Sequence, residues 1–223
     1  MGEVVELMAS DGHKLSGYRA EAAGTPKGGL VVVQEIFGVN GHFRNLCDAF
    51  AAEGYVALAP ALFDRIETGL ELGYDEEGTA RGRQLKLEIP WDDAVKDIDA
   101  AMSNLSGSGK IGVVGYCYGG SVAWLGATRL RPAASVCYYG GQIADFRDEM
   151  PNCPVQMHFG RTDPMILPEH VESIQQAQAD APVEVHLYDA GHGFSCDERG
   201  GFDADSTALA QSRTLSFLGR HLA

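Results

Sequence analysis

Short apolar runs rich in β-branched residues alternate with longer amphipathic segments along most of this 223-residue chain. The short runs predict strands, and they cover residues 29–34, 55–59, 110–116, 134–139, 155–159 and 183–188. Apolar residues at spacings of three and four predict helices over residues 43–53, 91–104, 121–129, 168–179 and 204–221. Neighbouring parallel strands require crossover connections, which are usually helices. The alternation therefore predicts an α/β fold with a mostly parallel central sheet and helices on both faces.

Two parts of the chain depart from this alternation. Residues 4–8 and 15–19 are joined through Asp11 and Gly12, which predicts an antiparallel hairpin at one edge of the sheet. Residues 62–90 form a charged segment that is punctuated by glycines and too long for an ordinary connection, so we expect an irregular lid or pocket wall there. No domain boundary is visible, and a single domain over residues 1–223 is predicted.

Charge and cysteine content argue against several classes of function. The 31 acidic and 17 basic residues give a formal net charge of −14, and a field of this sign repels nucleic acid and acidic membrane surfaces. The five cysteines are odd in number and lack paired spacing, which favours free thiols over a disulfide framework. The sequence shows no secretory signal and no long apolar span. We therefore expect a cytoplasmic protein without nucleic-acid or membrane partners.

The segment Gly-Tyr-Cys-Tyr-Gly-Gly at residues 115–120 follows a predicted buried strand and precedes a predicted helix. This G-x-C-x-G pattern is typical of a nucleophile on a sharp strand-to-helix turn, where small neighbours allow the chain to turn tightly. The following helix places the positive end of its dipole beneath the thiol of Cys117 and stabilises the thiolate. We therefore predict that Cys117 is a nucleophile. The alternative is a buried cysteine in a glycine-rich turn.

A cysteine nucleophile needs a base, and with such an elbow the order along the chain is nucleophile, acid, histidine. Asp163 lies in the loop after the predicted strand 155–159, and His192 stands between two glycines after the predicted strand 183–188. The carboxyl ends of parallel strands share one edge of a sheet, so Cys117, Asp163 and His192 are expected to meet there. Two structural alternatives stay open: Asp163 as a cap of the helical region that follows it, and a packing role for His192.

Glu35 ends the predicted strand 29–34 and falls at the same edge of the sheet. The loop that begins there is the usual source of a second oxyanion donor, so the backbone N–H groups of Ile36 and Tyr118 are predicted to form an oxyanion hole. A carboxylate close to Cys117 would also hold the thiol protonated through a hydrogen bond until substrate arrives. An exposed loop acid is the alternative for Glu35.

Four motifs resemble signatures of the dienelactone hydrolase family, the carboxymethylenebutenolidases of the α/β-hydrolase superfamily. They are Glu-Ile-Phe-Gly at 35–38, Gly-Tyr-Cys-Tyr-Gly-Gly at 115–120, Gly-Arg-Thr-Asp-Pro at 160–164 and Gly-His-Gly-Phe at 191–194. The resemblance covers nearly the whole chain and implies an α/β-hydrolase fold with a triad of Cys117, His192 and Asp163. It also implies that Glu35 contacts the resting thiol and is displaced when substrate binds. Neither a metal nor an organic cofactor is implied.

In this family, two arginines and a tyrosine bind the carboxylate of the substrate. The resemblance assigns one arginine to Arg81 in the predicted lid, with Arg83 close by, and Phe37 is a further candidate for substrate contact. The other family arginine stands four residues after the catalytic histidine, where this chain has Cys196, and the nearest arginine is Arg199. Cys196 is interpreted as a packing or surface thiol, although its spacing from the predicted base leaves a place near the pocket open.

The resulting hypothesis is a cysteine-dependent hydrolase of a small-molecule ester or lactone, similar to ring opening of the dienelactone-to-maleylacetate type. Because the arginine pattern departs from that of the family, dienelactone as the natural substrate does not follow. A substrate carboxylate held by Arg81 is the favoured version. The alternatives are a general carboxylesterase or thioesterase with a different pocket, and a non-catalytic binding or thiol-redox module on the same scaffold.

Overall fold

In a computed structural model that describes residues 2–222, these residues form one eight-stranded sheet. Its strands are β1 (Glu3–Met8), β2 (Lys14–Ala20), β3 (Gly28–Val33), β4 (Tyr55–Pro60), β5 (Ile111–Tyr116), β6 (Ala134–Tyr138), β7 (Val155–Gly160) and β8 (Val183–Tyr188). Their order across the sheet is β1-β2-β4-β3-β5-β6-β7-β8. Strand β2 pairs antiparallel with β1 and β4, and all other pairings are parallel. The predicted α/β class, the mostly parallel sheet and the N-terminal hairpin are confirmed.

The helices cover both faces of this sheet, as predicted. They are α1 (Gly41–Ala52), α2 (Glu76–Glu88), α3 (Trp91–Asn104), α4 (Tyr118–Arg129), α5 (Pro168–Ala177) and α6 (Ala204–Leu222). Successive residues of a strand point to opposite faces. A Cβ atom on Gly28 would lie 3.2 Å from Leu222 at the end of α6, whereas one on Gly29 would lie 3.1 Å from Leu105 next to α3. Helices α6 and α3 therefore pack on opposite faces of β3.

The centre of the sheet is apolar on both sides. Every residue of β3, β4, β6 and β7 is buried, which explains why these strands read as continuous apolar runs instead of an alternating pattern. Burying a valine or leucine side chain completely stabilises the folded state by about 1.5–3 kcal/mol relative to leaving it exposed. The four strands are thus a rigid support for the loops that leave their carboxyl ends.

Residues 62–90 are more regular than their glycine spacing predicted. They contain a 3-10 turn at Leu62–Arg65 and the 13-residue helix α2, which begins after Asp75. The Asp75 side chain accepts a hydrogen bond of 2.7 Å from the backbone N–H of Gly78, a typical helix cap. Gly82 lies inside α2, and this position requires a glycine because a Cβ atom there would overlap the carbonyl oxygen of Ile36. The predicted lid is therefore a helix packed closely against the loop after β3.

A membrane span is not found among the helices of residues 2–222, since none joins sufficient length to sufficient apolar character.

Candidate active site

Cys117 stands at the sharp turn between β5 and α4, with φ 55° and ψ −116°. This backbone conformation is unfavourable for a residue with a side chain and costs on the order of 1–3 kcal/mol. The cysteine N–H donates a 3.0 Å hydrogen bond to the carbonyl of Tyr138, which ties the turn to the neighbouring strand. The turn has the strained geometry expected of a nucleophile elbow.

Glycines on either side of Cys117 make this turn possible. A Cβ atom on Gly115 would overlap the carbonyl of Gly119, and one on Gly119 would overlap the carbonyl groups of Val33 and Gln34. Both glycines are therefore required by close backbone approach, as the motif predicted. Helix α4 already begins at Tyr118, three residues earlier than predicted, so its N-terminus lies directly beside the sulfur. The positive end of the helix dipole stabilises negative charge at that point.

The structure brings Cys117, His192 and Asp163 into one line of contacts. Nε2 of His192 lies 3.1 Å from Sγ of Cys117, and Nδ1 of His192 lies 2.7 Å from Oδ2 of Asp163. The histidine and aspartate side chains are 6% and 0% exposed. The imidazole of His192 is thus within hydrogen-bond distance of the thiol on one side and of the carboxylate on the other, which is the geometry that the predicted triad requires.

Asp163 does not cap a helix, which was its structural alternative, because α5 begins only at Pro168 with Leu167 at its N-cap, but it does hold the loop that follows it. Its second carboxylate oxygen, Oδ1, accepts hydrogen bonds from the backbone N–H groups of Met165 at 2.8 Å and Ile166 at 3.3 Å. One carboxylate oxygen thus holds the loop and the other holds His192. The two roles are compatible, and together they fix the orientation of the carboxylate.

The charge state of His192 is governed by competing influences. Burial lowers its pKa, but the interaction with the neighbouring Cys117 sulfur and the hydrogen bond that Nδ1–H donates to the Asp163 carboxylate act in the opposite direction and raise the pKa to about 9. At neutral pH the imidazole is therefore protonated beside the sulfur.

The backbone N–H groups of Ile36 and Tyr118 are the predicted oxyanion donors. Within residues 2–222, neither Ile36 N–H nor Tyr118 N–H donates a hydrogen bond. Tyr118 is the first residue of α4, where a backbone N–H has no acceptor inside the helix. Ile36 is held in place from outside by α2, at the close approach of Gly82 described above. The two predicted oxyanion donors are thus available in the resting protein.

Glu35 is completely buried, so the alternative interpretation as an exposed loop acid is wrong. Its partner, however, is not the Cys117 thiol that we expected. Its Oε1 accepts a 3.1 Å hydrogen bond from Nη1 of Arg199, and its Oε2 has no partner among residues 2–222. No hydrogen bond joins Glu35 to Cys117 within the same residues. The expected contact with the resting thiol is therefore corrected, because the guanidinium of Arg199 binds the carboxylate instead.

Arg199 comes from the loop after His192 and fits closely among its neighbours. Its guanidinium carbon lies 5.7 Å from the centre of the Phe37 ring. A Cβ atom on Gly193 would come within 2.6 Å of its Nη1, so the absence of a side chain at position 193 makes room for the arginine. Sequence reasoning had named Arg199 only as the arginine nearest to Cys196. Its ion pair with Glu35 could not be read from their separation along the chain.

Of the other residues predicted to contact substrate, Phe37 lies beside Arg199, whereas the arginines of α2 lie farther out. Arg81 is on α2 and forms a 3.1 Å ion pair with Glu67 on the half-exposed outer part of the lid, and Arg83 is exposed. Phe37 is 1% exposed and packs against Tyr74, with 4.4 Å between ring centres. Within residues 2–222 no contact joins Arg81 to the triad.

Tyr139 is a site residue that sequence reasoning missed. Its ring lies edge-on to His192, with 5.1 Å between the ring centres, and its backbone has a φ of 36°. The available signal was its position at the carboxyl end of the strand next to β5, followed by two glycines. An aromatic wall of this kind fixes the plane of the imidazole.

Cys196 is buried and belongs to the packing around the site. Burial is the main reason that its pKa is raised to about 11, and the charge of Glu35 acts in the same direction. A thiol of this kind stays protonated at neutral pH and is a poor nucleophile. The packing interpretation of Cys196 therefore agrees with the structure, at a place close to Glu35.

Comparison with known proteins agrees with this geometry. Residues 15–222 match the model of the dienelactone hydrolase family. A putative carboxymethylenebutenolidase from Synechocystis sp. is 32% identical over 217 residues, which cover 88% of each chain. The carboxymethylenebutenolidase of Pseudomonas putida is 31% identical over 225 residues, which cover 97% of this chain and 95% of that protein.

Solved structures show the same architecture. A putative dienelactone hydrolase from Klebsiella pneumoniae superposes with a TM-score of 0.84 at 28% identity, over 99% of both chains. An esterase from Pyrococcus furiosus superposes with a TM-score of 0.72 over 100% of this chain and 93% of that one. At 17% identity, the second likeness concerns the fold alone.

Proposed function

We propose that this chain, which belongs to the dienelactone hydrolase family, hydrolyses a small-molecule ester or lactone with Cys117 as its nucleophile. Family membership supports hydrolysis of the ester or lactone type. The observation that carries the assignment to Cys117 is its 3.1 Å contact with His192, which is itself held at 2.7 Å by Asp163. A buried, oriented acid–base pair beside a strained cysteine has the arrangement needed for covalent acyl transfer.

The first half of the reaction forms an acyl-enzyme. The Cys117 thiolate attacks the carbonyl carbon of the ester or lactone, and the carbonyl oxygen becomes a tetrahedral oxyanion. The N–H groups of Ile36 and Tyr118 donate to this oxyanion, and one such donor contributes about 3–4 kcal/mol of transition-state stabilisation. When the intermediate collapses, the C–O bond breaks and His192 Nε2–H protonates the leaving oxygen. The carbonyl carbon is then bound to sulfur as a thioester.

The second half of the reaction regenerates the Cys117 thiolate and the protonated His192. His192, now neutral, takes a proton from a water molecule, and the resulting hydroxide attacks the thioester carbon. Collapse of the second tetrahedral intermediate breaks the C–S bond and releases a carboxylic acid. Throughout the cycle, Asp163 keeps the imidazole in the tautomer that presents Nε2 to the sulfur, and it stabilises the imidazolium form.

A general carboxylesterase or thioesterase is the second candidate. The triad and the oxyanion donors serve any acyl group equally, so the difference lies only in the pocket. A non-catalytic binding or thiol-redox module is disfavoured, because it gives no reason for a strained cysteine to contact a histidine that a buried acid orients.

Mass spectrometry after a single turnover tests the proposal. The protein is mixed with one equivalent of p-nitrophenyl acetate and quenched in acid, and we expect one acetyl group on the peptide that contains Cys117. The Cys117→Ala variant should carry none, while a Cys153→Ala control should be labelled like the wild type. An acetyl group on any other residue, or an unlabelled folded protein, would refute the assignment.

A further inference from the structure

The loop that carries the oxyanion donor Ile36 is held from outside by residues 70–82 of the predicted lid. A Cβ atom on Gly82 would overlap the carbonyl oxygen of Ile36. One residue further along the loop, the carbonyl of Phe37 accepts a 2.9 Å hydrogen bond from the backbone N–H of Leu72. Both peptide groups that flank Phe37 therefore contact the same segment.

Tyr74 adds a side-chain contact to these backbone contacts. Its ring packs against the ring of Phe37, with 4.4 Å between the ring centres. Its hydroxyl accepts a 3.2 Å hydrogen bond from Nδ2 of Asn40, the N-cap residue of α1. Tyr74 therefore holds the loop of Ile36 at two points, one directly after the oxyanion donor and one where the loop enters α1.

The Tyr74 hydroxyl also contacts the loop that carries His192. It interacts with the thiol of Cys196, which lies four residues after His192 and is completely buried. Burial raises the pKa of both the hydroxyl and the thiol, so both groups are protonated and neutral at physiological pH. Tyr74 thus connects the loop of the oxyanion donor to the loop of the proposed base.

The two oxyanion donors differ in how they are supported. The N–H of Tyr118 belongs to the first turn of α4, and the helix fixes its direction. Ile36 lies between β3 and α1, outside any helix or strand. A donor acts on the oxyanion only if it lies about 2.7–3.1 Å from the position where the charge develops. The contribution of the Ile36 N–H therefore depends on the groups that hold its loop.

We propose that Tyr74 is a positioning residue of the reaction, which holds Phe37 in place so that the neighbouring Ile36 N–H is aimed at the oxyanion. This inference rests on the proposed function. The hydroxyl of Tyr74 contacts Asn40 and Cys196, so it acts through the loop and not on the reacting atoms. Its loss should therefore weaken transition-state stabilisation and leave substrate binding nearly unchanged.

Acylation kinetics in a stopped-flow instrument test this inference with p-nitrophenyl acetate. Tyr74→Leu removes both the ring contact and the hydroxyl, and we expect the acylation rate constant to fall by about 30-fold while the dissociation constant of the substrate changes by less than about twofold. Tyr74→Phe keeps the ring, and a fall of about fivefold is expected. An unchanged acylation rate constant in Tyr74→Leu would overturn the inference. If that variant does not fold, an unchanged rate constant in Tyr74→Phe does so.

Tyr18→Phe is the matched control for the loss of a tyrosine hydroxyl. The Tyr18 hydroxyl donates a 3.0 Å hydrogen bond to Asp48 between the N-terminal hairpin and α1. Its removal should leave the acylation rate constant unchanged. A fall equal to that of Tyr74→Phe would contradict a specific role for Tyr74.

Two inhibitors of one chain length separate the aim of the donor from a general change of the pocket. The Cys117 thiolate adds to the carbonyl carbon of hexanal, and the carbonyl oxygen takes the place of the oxyanion and receives the proton of His192. Hexanamide binds without forming this adduct. In Tyr74→Leu we expect the inhibition constant of hexanal to rise by about the factor lost in acylation, and that of hexanamide to stay unchanged. Equal increases for both inhibitors would overturn the inference.

Alkylation by iodoacetamide distinguishes the inference from the proposed function. The Cys117 thiolate forms a bond to carbon and iodide leaves, so no oxyanion develops, and Tyr74→Leu should react as fast as the wild type. An alkylation rate that falls as much as acylation would place the effect on the thiol and the imidazole, against the inference. If Cys117→Ala hydrolyses p-nitrophenyl acetate as well as the wild type does, the proposed function itself fails.

Discussion

Nε2 of His192 lies 3.1 Å from Sγ of Cys117, although 75 residues separate them along the chain. The two residues follow β8 and β5, which run parallel in one sheet with β6 and β7 between them. Their loops therefore leave the sheet at the same edge. This contact joins the strained elbow to the imidazole of His192.

Replacing Cys117 tests the nucleophile. Cys117→Ala removes the atom that attacks the substrate, so kcat/KM for p-nitrophenyl acetate should fall by about 10⁴-fold or more. Cys117→Ser should also lose most activity, by about 100-fold, because a hydroxyl lacks the thiolate character that His192 and α4 stabilise. Initial rates measured by p-nitrophenolate absorbance give both values. Full activity of the serine variant would contradict a site built for a thiolate.

Replacing Asp163 tests the orientation of the base. In Asp163→Asn the imidazole loses the negative partner at Nδ1, so we expect kcat to fall by about 10³- to 10⁴-fold. The pKa of His192 should also drop below its value of about 9, and NMR titration of the histidine resonances measures this. Asp189→Asn is the matched control, because Asp189 is 93% exposed in the neighbouring loop. A loss of activity equal in both variants would argue against a specific role for Asp163.

Stability should depend on pH through His192. The pKa of its imidazole is about 9 in the folded protein, above the ordinary value of 6.5. Protonation therefore stabilises the folded state, fully below pH 6.5, and the contribution disappears as pH rises through about 9. Urea denaturation should show the wild type losing a few kcal/mol relative to His192→Gln between about pH 6 and about pH 9.5. A difference that is constant or grows with pH would contradict the raised pKa.

The glycines of the elbow should not accept side chains. Gly119→Ala would drive a methyl group into the carbonyls of Val33 and Gln34, and we expect a loss of about 2–4 kcal/mol in the free energy of unfolding. Gly219→Ala is the control, since a Cβ atom on this exposed residue of α6 meets nothing within 4 Å. Helix propensity should make it more stable by about 0.5–1 kcal/mol. Thermal and urea unfolding of the two variants should shift in opposite directions.

Much of the fold could be predicted because local patterns encode it directly. The bounds predicted for the helix at Trp91–Asn104 and the strand at Val183–Tyr188 agree with the structure. Helix α2 was missed because Gly78 and Gly82 read as chain breaks, whereas Gly82 is required by the close approach of the Ile36 carbonyl. Asp75 and the acidic residues after it were the signal that could have revealed this helix start.

The candidate site, like the fold, could be predicted from the sequence only in part. The sequence determined the strand-to-helix turn at Cys117 and the order in which Asp163 and His192 follow it, because backbone periodicity and glycine placement are properties of neighbouring residues. Only the tertiary structure decided that Glu35 binds Arg199 instead of the thiol. The physical reason is that a charged group pairs with the nearest opposite charge in space, and loops from distant parts of the chain bring that charge into reach.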